Sequence, residues 1–126
     1  MAKKRILLVD DEKSFTNLLK LNLEETGNYE VRVENWAEDA CAAAKEFKPD
    51  LVLLDIIMPR MPGGNVAAQL KEDPSLKDTP IVFLTAAVRK HQVEENQGII
   101  CDFPCLAKPA TVDMVIEAIE KNMKKS

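Results

Sequence analysis

The sequence predicts an α/β domain in which a five-stranded parallel sheet is covered by helices on both faces. Two patterns carry that prediction. Short apolar runs without polar alternation, such as Leu51-Val-Leu-Leu54, suit strands buried on both sides. Between them lie segments whose apolar residues recur every three or four positions, as on helices packed by one face. Repeated strand–helix alternation then implies right-handed crossovers and a doubly wound sheet.

Each element follows from local signals. Arg5-Ile-Leu-Leu-Val9 reads as the first buried strand. From Glu12 to Thr26, Phe15, Leu18, Leu19 and Leu23 mark a helix, and Gly27 supplies its stop. Tyr29 to Glu34 alternates apolar and polar residues, as a half-exposed edge strand does. Asn35 followed by Glu38 resembles a capping pair, opening a helix whose inner face is Ala40, Ala44 and Phe47. Leu51 to Leu54 is the third strand, and a helix is expected from about Asn65 to Glu72, ahead of Pro74 and Pro80. Pro80-Ile-Val-Phe-Leu-Thr85 is the fourth strand. Val88 to Gln97 has few apolar residues and is expected to be an irregular helix. A short fifth strand precedes Lys108, with Pro104 limiting its pairing. Val112, Val115, Ile116, Ile119 and Met123 mark a final amphipathic helix.

The chain has 126 residues, enough for one domain spanning 1–126 with a real core. Hydrophobic residues at 46% and charged residues at 30% fit a folded globular protein and argue against disorder. A formal charge of −4 argues against direct binding to nucleic acid or an anionic membrane. No apolar run is long enough to span a bilayer, and the opening MAKKRILLVDD lacks a signal-peptide pattern. Cys41, Cys101 and Cys105 form an odd set without framework spacing, so a cytoplasmic location is expected.

Parallel sheets of this kind hold ligands beyond the carboxyl ends of their strands, where strand order reverses. There the sequence places Asp10-Asp11, Asp55, Thr85 and Lys108-Pro109. Singly, each has a plain explanation: Asp11 and Thr85 as helix caps, Asp55 as a turn residue, Lys108 as a solvated cation. Together they fit poorly with those explanations. Three carboxylates about 5 Å apart repel by roughly 3 kcal/mol per pair at an effective dielectric near 20. Such repulsion raises a pKa or demands a cation, and Lys108 supplies only one positive charge. A hard divalent ion with oxygen ligands, Mg²⁺ above all, fits one or two carboxylates plus a phosphoryl oxygen. The cluster thus suits an arriving phosphoryl group, with a carboxylate as nucleophile and the Thr85 hydroxyl as a hydrogen-bond donor.

The pattern resembles the receiver domain of two-component response regulators along essentially the whole chain. It rests on Asp10-Asp11 after LLV, Asp55 before Ile-Ile-Met-Pro59, Gly63 beyond it, Leu84-Thr85-Ala86 and Lys108-Pro109, all in order. The resemblance implies a flavodoxin-like (βα)5 sandwich with strand order 2-1-3-4-5. It implies phosphorylation of Asp55, with Mg²⁺ bound by Asp11, Asp55 and the Ile57 carbonyl, and by Asp10 through water. Thr85 is then the switch hydroxyl and Lys108 the phosphate partner, and the Lys108–Pro109 peptide is expected to be cis. A histidine kinase or phosphotransfer protein is the implied donor, and an effector protein or fused output domain the implied target. Self-catalysed transfer and hydrolysis make such a domain an enzyme only in part; it is mainly a signalling switch, monomeric or weakly homodimeric.

The chain also departs from the family pattern. Cys105 stands three residues before the lysine, where receivers usually carry Tyr or Phe; Ala110 and Pro62 replace a common aromatic and a common acid. These departures motivate an alternative, a receiver-like interaction module that does not switch by phosphorylation. A flavin binder would want a Ser/Thr- or Gly-rich phosphate loop where Asp10-Asp11-Glu12 stands. An aspartate-based phosphatase would want an Asp-x-Asp nucleophile, absent at Asp55-Ile-Ile. His91 is expected at the surface, Cys101 and Cys105 in strand packing, and Lys121, Lys124 and Lys125 at the favourable end of a helix dipole.

Overall fold

The computed structural model describes residues 3–56, 58, 61, 63–85, 99, 100, 103–107 and 111–123. Its strands are β1 (Lys4–Val9), β2 (Tyr29–Glu34), β3 (Leu51–Leu54), β4 (Ile81–Thr85), β5 (Ile99–Ile100) and β6 (Phe103–Ala107). Its helices are α1 (Lys13–Glu25), α2 (Ala40–Phe47), α3 (Gly63–Glu72) and α4 (Val112–Asn122), with a 3-10 turn at Ala37–Asp39 before α2. The sheet order is β2-β1-β3-β4-β6-β5. Its five parallel strands, β6 being the fifth, therefore follow the expected order 2-1-3-4-5.

Alternation along the strands divides the core in two. Leu7, Val9, Val52, Leu54, Ile81, Phe83 and Cys105 face one side, where Ala40, Ala44, Val66 and Leu70 of α2 and α3 cover them. Ile6, Leu8, Leu51, Leu53, Val82 and Leu84 face the other, beneath Leu19, Leu23, Val115 and Ile119 of α1 and α4. The chirality rule accounts for this division. The chain steps outward from β1 to β2 and then back past β1 to β3, so right-handed crossovers put α1 on one face and α2 and α3 on the opposite one. The reversal lies between β1 and β3.

Several local expectations hold, and a few are corrected. Gly27 ends α1 with φ +81°, its N–H donating to the Glu24 carbonyl at 3.1 Å. Thr111 caps α4 by accepting from the Met114 N–H at 3.1 Å. Leu18, one of the residues that mark α1, is 60% exposed, because Thr16, Leu19 and Leu23 form the buried stripe. Asn35 does not cap the next helix: the 3-10 turn starts after Trp36 without a side-chain cap, and the Asn35 amide turns inward instead. α3 starts at Gly63, two residues earlier than expected. Pro104 lies ahead of the β4 ladder, which begins at Cys105, and pairs with Ile99 of the unforeseen antiparallel strand β5. Val88–Gln97, His91, Cys101, Pro109 and Ala110 lie outside the described residues.

Two contacts fix the ends of the sheet. At the amino ends of the strands, the buried Tyr29 hydroxyl donates to Glu120 Oε1 at 2.6 Å, and Lys4 Nζ donates to Glu120 Oε2 at 3.3 Å. Burial and the facing carboxylate push the phenol upward from its ordinary value, while the phenol hydrogen bond, then Lys4, holds the Glu120 carboxyl below its own. At the carboxyl ends, the first amide of α3 docks on the turn after β3: the Gly63 N–H donates to the Ile56 carbonyl at 2.7 Å. A Cβ on Gly63 would overlap the Asp55 carbonyl oxygen and stand 2.8 Å from Ile56 Cα.

Gly63→Ala should therefore destabilise the fold by about 1–3 kcal/mol, since backbone atoms must move apart to admit the methyl. Urea denaturation checks this, and an unchanged midpoint would refute the close approach. Tyr29→Phe should cost about 1 kcal/mol at neutral pH. Because the Glu120 carboxyl is depressed in the fold, its contribution is complete above the ordinary glutamate range and fades as pH falls through the depressed value. The penalty of Tyr29→Phe should accordingly shrink below about pH 4.5, the ordinary value. Burial pushes the Cys105 thiol up to about 11. At pH 8 its alkylation should lag far behind that of half-buried Cys41, as resolved by peptide mass mapping.

Candidate functional site

The carboxyl edge of the sheet is built by carrying the ladder one residue past each strand. Asp10 follows β1, and its N–H donates to the Glu34 carbonyl at 3.1 Å. Asp55 follows β3, and its N–H donates to the Val9 carbonyl at 2.9 Å. Both acids are thus placed by backbone pairing, on the two strands that flank the reversal of strand order. Asp10 is fully buried and Asp55 is 5% exposed, whereas Asp11 reaches solvent.

One carboxylate oxygen from each of Asp10, Asp11 and Asp55 lies within 4.8 Å of the other two. At that separation each like-charged pair costs roughly 3 kcal/mol at an effective dielectric near 20. Backbone geometry imposes the approach. Asp10 Oδ1 accepts the Glu12 N–H at 3.0 Å, which closes the turn into α1 and draws the two successive acids back over the sheet. The Gly63 contact holds the Asp55–Ile56 peptide from the opposite side. All three groups are hard oxygen donors, two of them sheltered from bulk water, and this donor set fits Mg²⁺ or another small divalent cation.

The remaining expected residues are placed as follows. Thr85 ends β4 opposite Ala107, and Phe83 pairs with Cys105 in the same ladder. Cys105 is buried in the core beneath α2 and α3. Ile57 and Lys108 lie outside the described residues.

Sequence reasoning missed two neighbours of the acids. Asn35 Nδ2 donates to the Asp10 carbonyl at 2.8 Å and to Thr16 Oγ1 at 3.1 Å. Thr16, fully buried, passes its own proton to the Lys13 carbonyl at 3.1 Å. A signal did exist: Thr16 sits three residues before Leu19 and seven before Leu23, on the inward stripe, where a hydroxyl needs a partner.

Comparisons with known proteins agree with this geometry. DivK of Brucella anthropi, a polar-differentiation response regulator, is 32% identical over 117 residues, covering 93% of this chain and 94% of the relative. PhoP of Bacillus subtilis, an alkaline phosphatase synthesis transcriptional regulatory protein, is 42% identical over 83 residues. That match takes in 66% of this chain but 33% of PhoP, so the chain spans about a third of that relative. Among solved structures, the chemotaxis protein CheY4 of Vibrio cholerae shares the fold with a TM-score of 0.82 at 24% identity, covering 97% of this chain and all of that one. The N-terminal domain of a response regulator receiver protein from Methanoculleus marisnigri has a TM-score of 0.71 at 30% identity, over 99% of this chain and 100% of its own. Residues 6–120 match the family described as the response regulator receiver domain. With its acids gathered where the sheet reverses direction and this match along nearly its whole length, the chain belongs to the response regulator receiver domain family.

Proposed function

We propose that this receiver domain accepts a phosphoryl group on Asp55 and that the resulting acyl phosphate changes its affinity for a partner protein. The convergence of Asp10, Asp11 and Asp55 carries this reading. Asp55 follows β3, the central strand of the five parallel ones, and its backbone is pinned from both sides. A pinned carboxylate is held for attack, since little motion remains to be frozen in the transition state.

In the transfer step an Asp55 carboxylate oxygen forms a bond to phosphorus. The bond from phosphorus to the donor breaks, and its electron pair leaves with the donor, which takes up a proton. For a phosphohistidine donor on a histidine kinase or phosphotransfer protein, that leaving group is an imidazole. Hydrolysis of the acyl phosphate by water then returns the Asp55 carboxylate and inorganic phosphate. Asp10, Asp11, Asp55 and the Ile57 carbonyl would hold Mg²⁺, which when bound neutralises charge on the acids and the phosphoryl oxygens. Thr85 offers a hydroxyl donor and Lys108 a cation to the phosphoryl group in this reading.

The output belongs to the same proposal. A phosphorylated state can shift a binding equilibrium only through its different affinity for a partner, either a separate effector or a fused output domain. Among the described residues no helix is long and apolar enough to cross a membrane.

Incubation with a small acyl phosphate donor and Mg²⁺, followed by intact mass measurement, tests the chemistry. One phosphoryl adduct is expected in the wild type, none in Asp55→Asn, and none after Mg²⁺ is chelated. If the wild type stays unmodified and also fails to bind a phosphoryl analogue with Mg²⁺, the reading falls, and an interaction module that does not switch by phosphorylation takes its place.

A further inference from the structure

Asn35 occupies a position that the acid chemistry does not explain by itself. The parallel ladder between β1 and β2 continues as far as the Asp10 N–H, which donates to the Glu34 carbonyl. The next rung of such a ladder would come to the Asp10 carbonyl from the β2 side. The Asn35 carboxamide fills that acceptor site at 2.8 Å, just where the chain turns away through Trp36 into the 3-10 turn. A carbonyl only accepts, so the amide nitrogen must face it, and the second amide proton goes to Thr16 Oγ1. Thr16 relays the chain to the Lys13 carbonyl in the first turn of α1.

One side chain therefore grips both ends of the segment that carries two of the three acids. Asp10 lies at one end of it and the first turn of α1 at the other, with exposed Asp11 between. We propose that Asn35, acting with Thr16, is a positioning residue for the acidic pocket: it sets where the Asp10 and Asp11 carboxylates stand relative to Asp55. The inference rests on the metal-binding reading above and extends it to two residues outside the acid cluster. The residue type is specific. Aspartate at position 35 would lose both donors and add a fourth negative charge, and alanine would leave the Asp10 carbonyl without this partner.

The test is an amide NMR titration with Mg²⁺ alone, paired with thermal unfolding, on the full chain and its variants. Asn35→Ala and Thr16→Val should each weaken Mg²⁺ binding roughly tenfold, while Thr16→Ser, which keeps the hydroxyl, should stay within about twofold of the wild type. Tyr29→Phe, at the opposite end of the sheet, should lower the melting midpoint without changing Mg²⁺ affinity; this separates positioning from general stability. Wild-type Mg²⁺ affinity in a folded Asn35→Ala chain overturns the proposal, whatever its midpoint. If that variant does not fold, the Thr16→Val and Thr16→Ser pair decides by the same criterion. A wild-type chain that binds no Mg²⁺ overturns the metal reading and this inference with it, an outcome visible before any variant is made.

Discussion

Everything at the carboxyl edge depends on holding like charges together against their repulsion. Carboxylates within 4.8 Å of one another repel and drift apart where the backbones that carry them are free to move. Here the backbones are not free. Asp10 and Asp55 take their positions from rungs of the sheet, and Asp11 is carried between Asp10 and a turn closed onto the Glu12 N–H. Stability gained elsewhere, in the two apolar layers, is what keeps the acids facing one another. Acidic oxygens gathered at the reversal of strand order suit a place that receives a ligand.

The two ends of the sheet are managed differently. The amino ends of the strands are closed by Tyr29, Glu120 and Lys4, a clasp of opposite charges and a buried phenol that joins β1 and β2 to the last turns of α4. Its groups satisfy one another. The carboxyl ends instead gather like charges, three acids with oxygens within 4.8 Å of one another. Doubly wound sheets separate roles in this way: one edge secures the helices, and the edge at the strand-order reversal receives ligands.

Much of this was legible in the sequence because period and burial agree. Uniform runs such as Leu51–Leu54 can only be strands covered on both faces, and their order in a parallel sheet fixes which acids share an edge. What stayed hidden depends on three-dimensional neighbours. Asn35 before Glu38 has the spacing of a helix cap, yet the Asp10 carbonyl and the Thr16 hydroxyl compete for its amide and hold it. Leu18 has helical spacing with Phe15, but the buried stripe runs through Thr16, Leu19 and Leu23 and leaves it outside. Gly63 stood in the family pattern without a physical reason, which comes from the Asp55–Ile56 backbone lying against it. Strand β5 has only two residues, too short for any periodicity to announce.

A change at Asp55, in the proposed reading, reaches the surface through the strands beside it. In the proposed reading, Thr85 lies one register step from the Leu84–Leu106 pair and two from Phe83–Cys105. Receivers usually place a large aromatic at the position of Cys105, and its ring can move between inward and outward states. A buried thiol offers no ring to swing: it is small, its pKa is pushed up to about 11 by burial, and it is enclosed with Phe83 in the core beneath α2 and α3. The side chain at 105 would therefore be, in that reading, a poor carrier of a signal outward. What remains in the ladder is backbone, the β4–β6 pairing itself, with Thr85 set against Ala107. In the proposed reading, coupling would then run through the backbone of the short β4–β6 ladder and not through a rotamer exchange at 105.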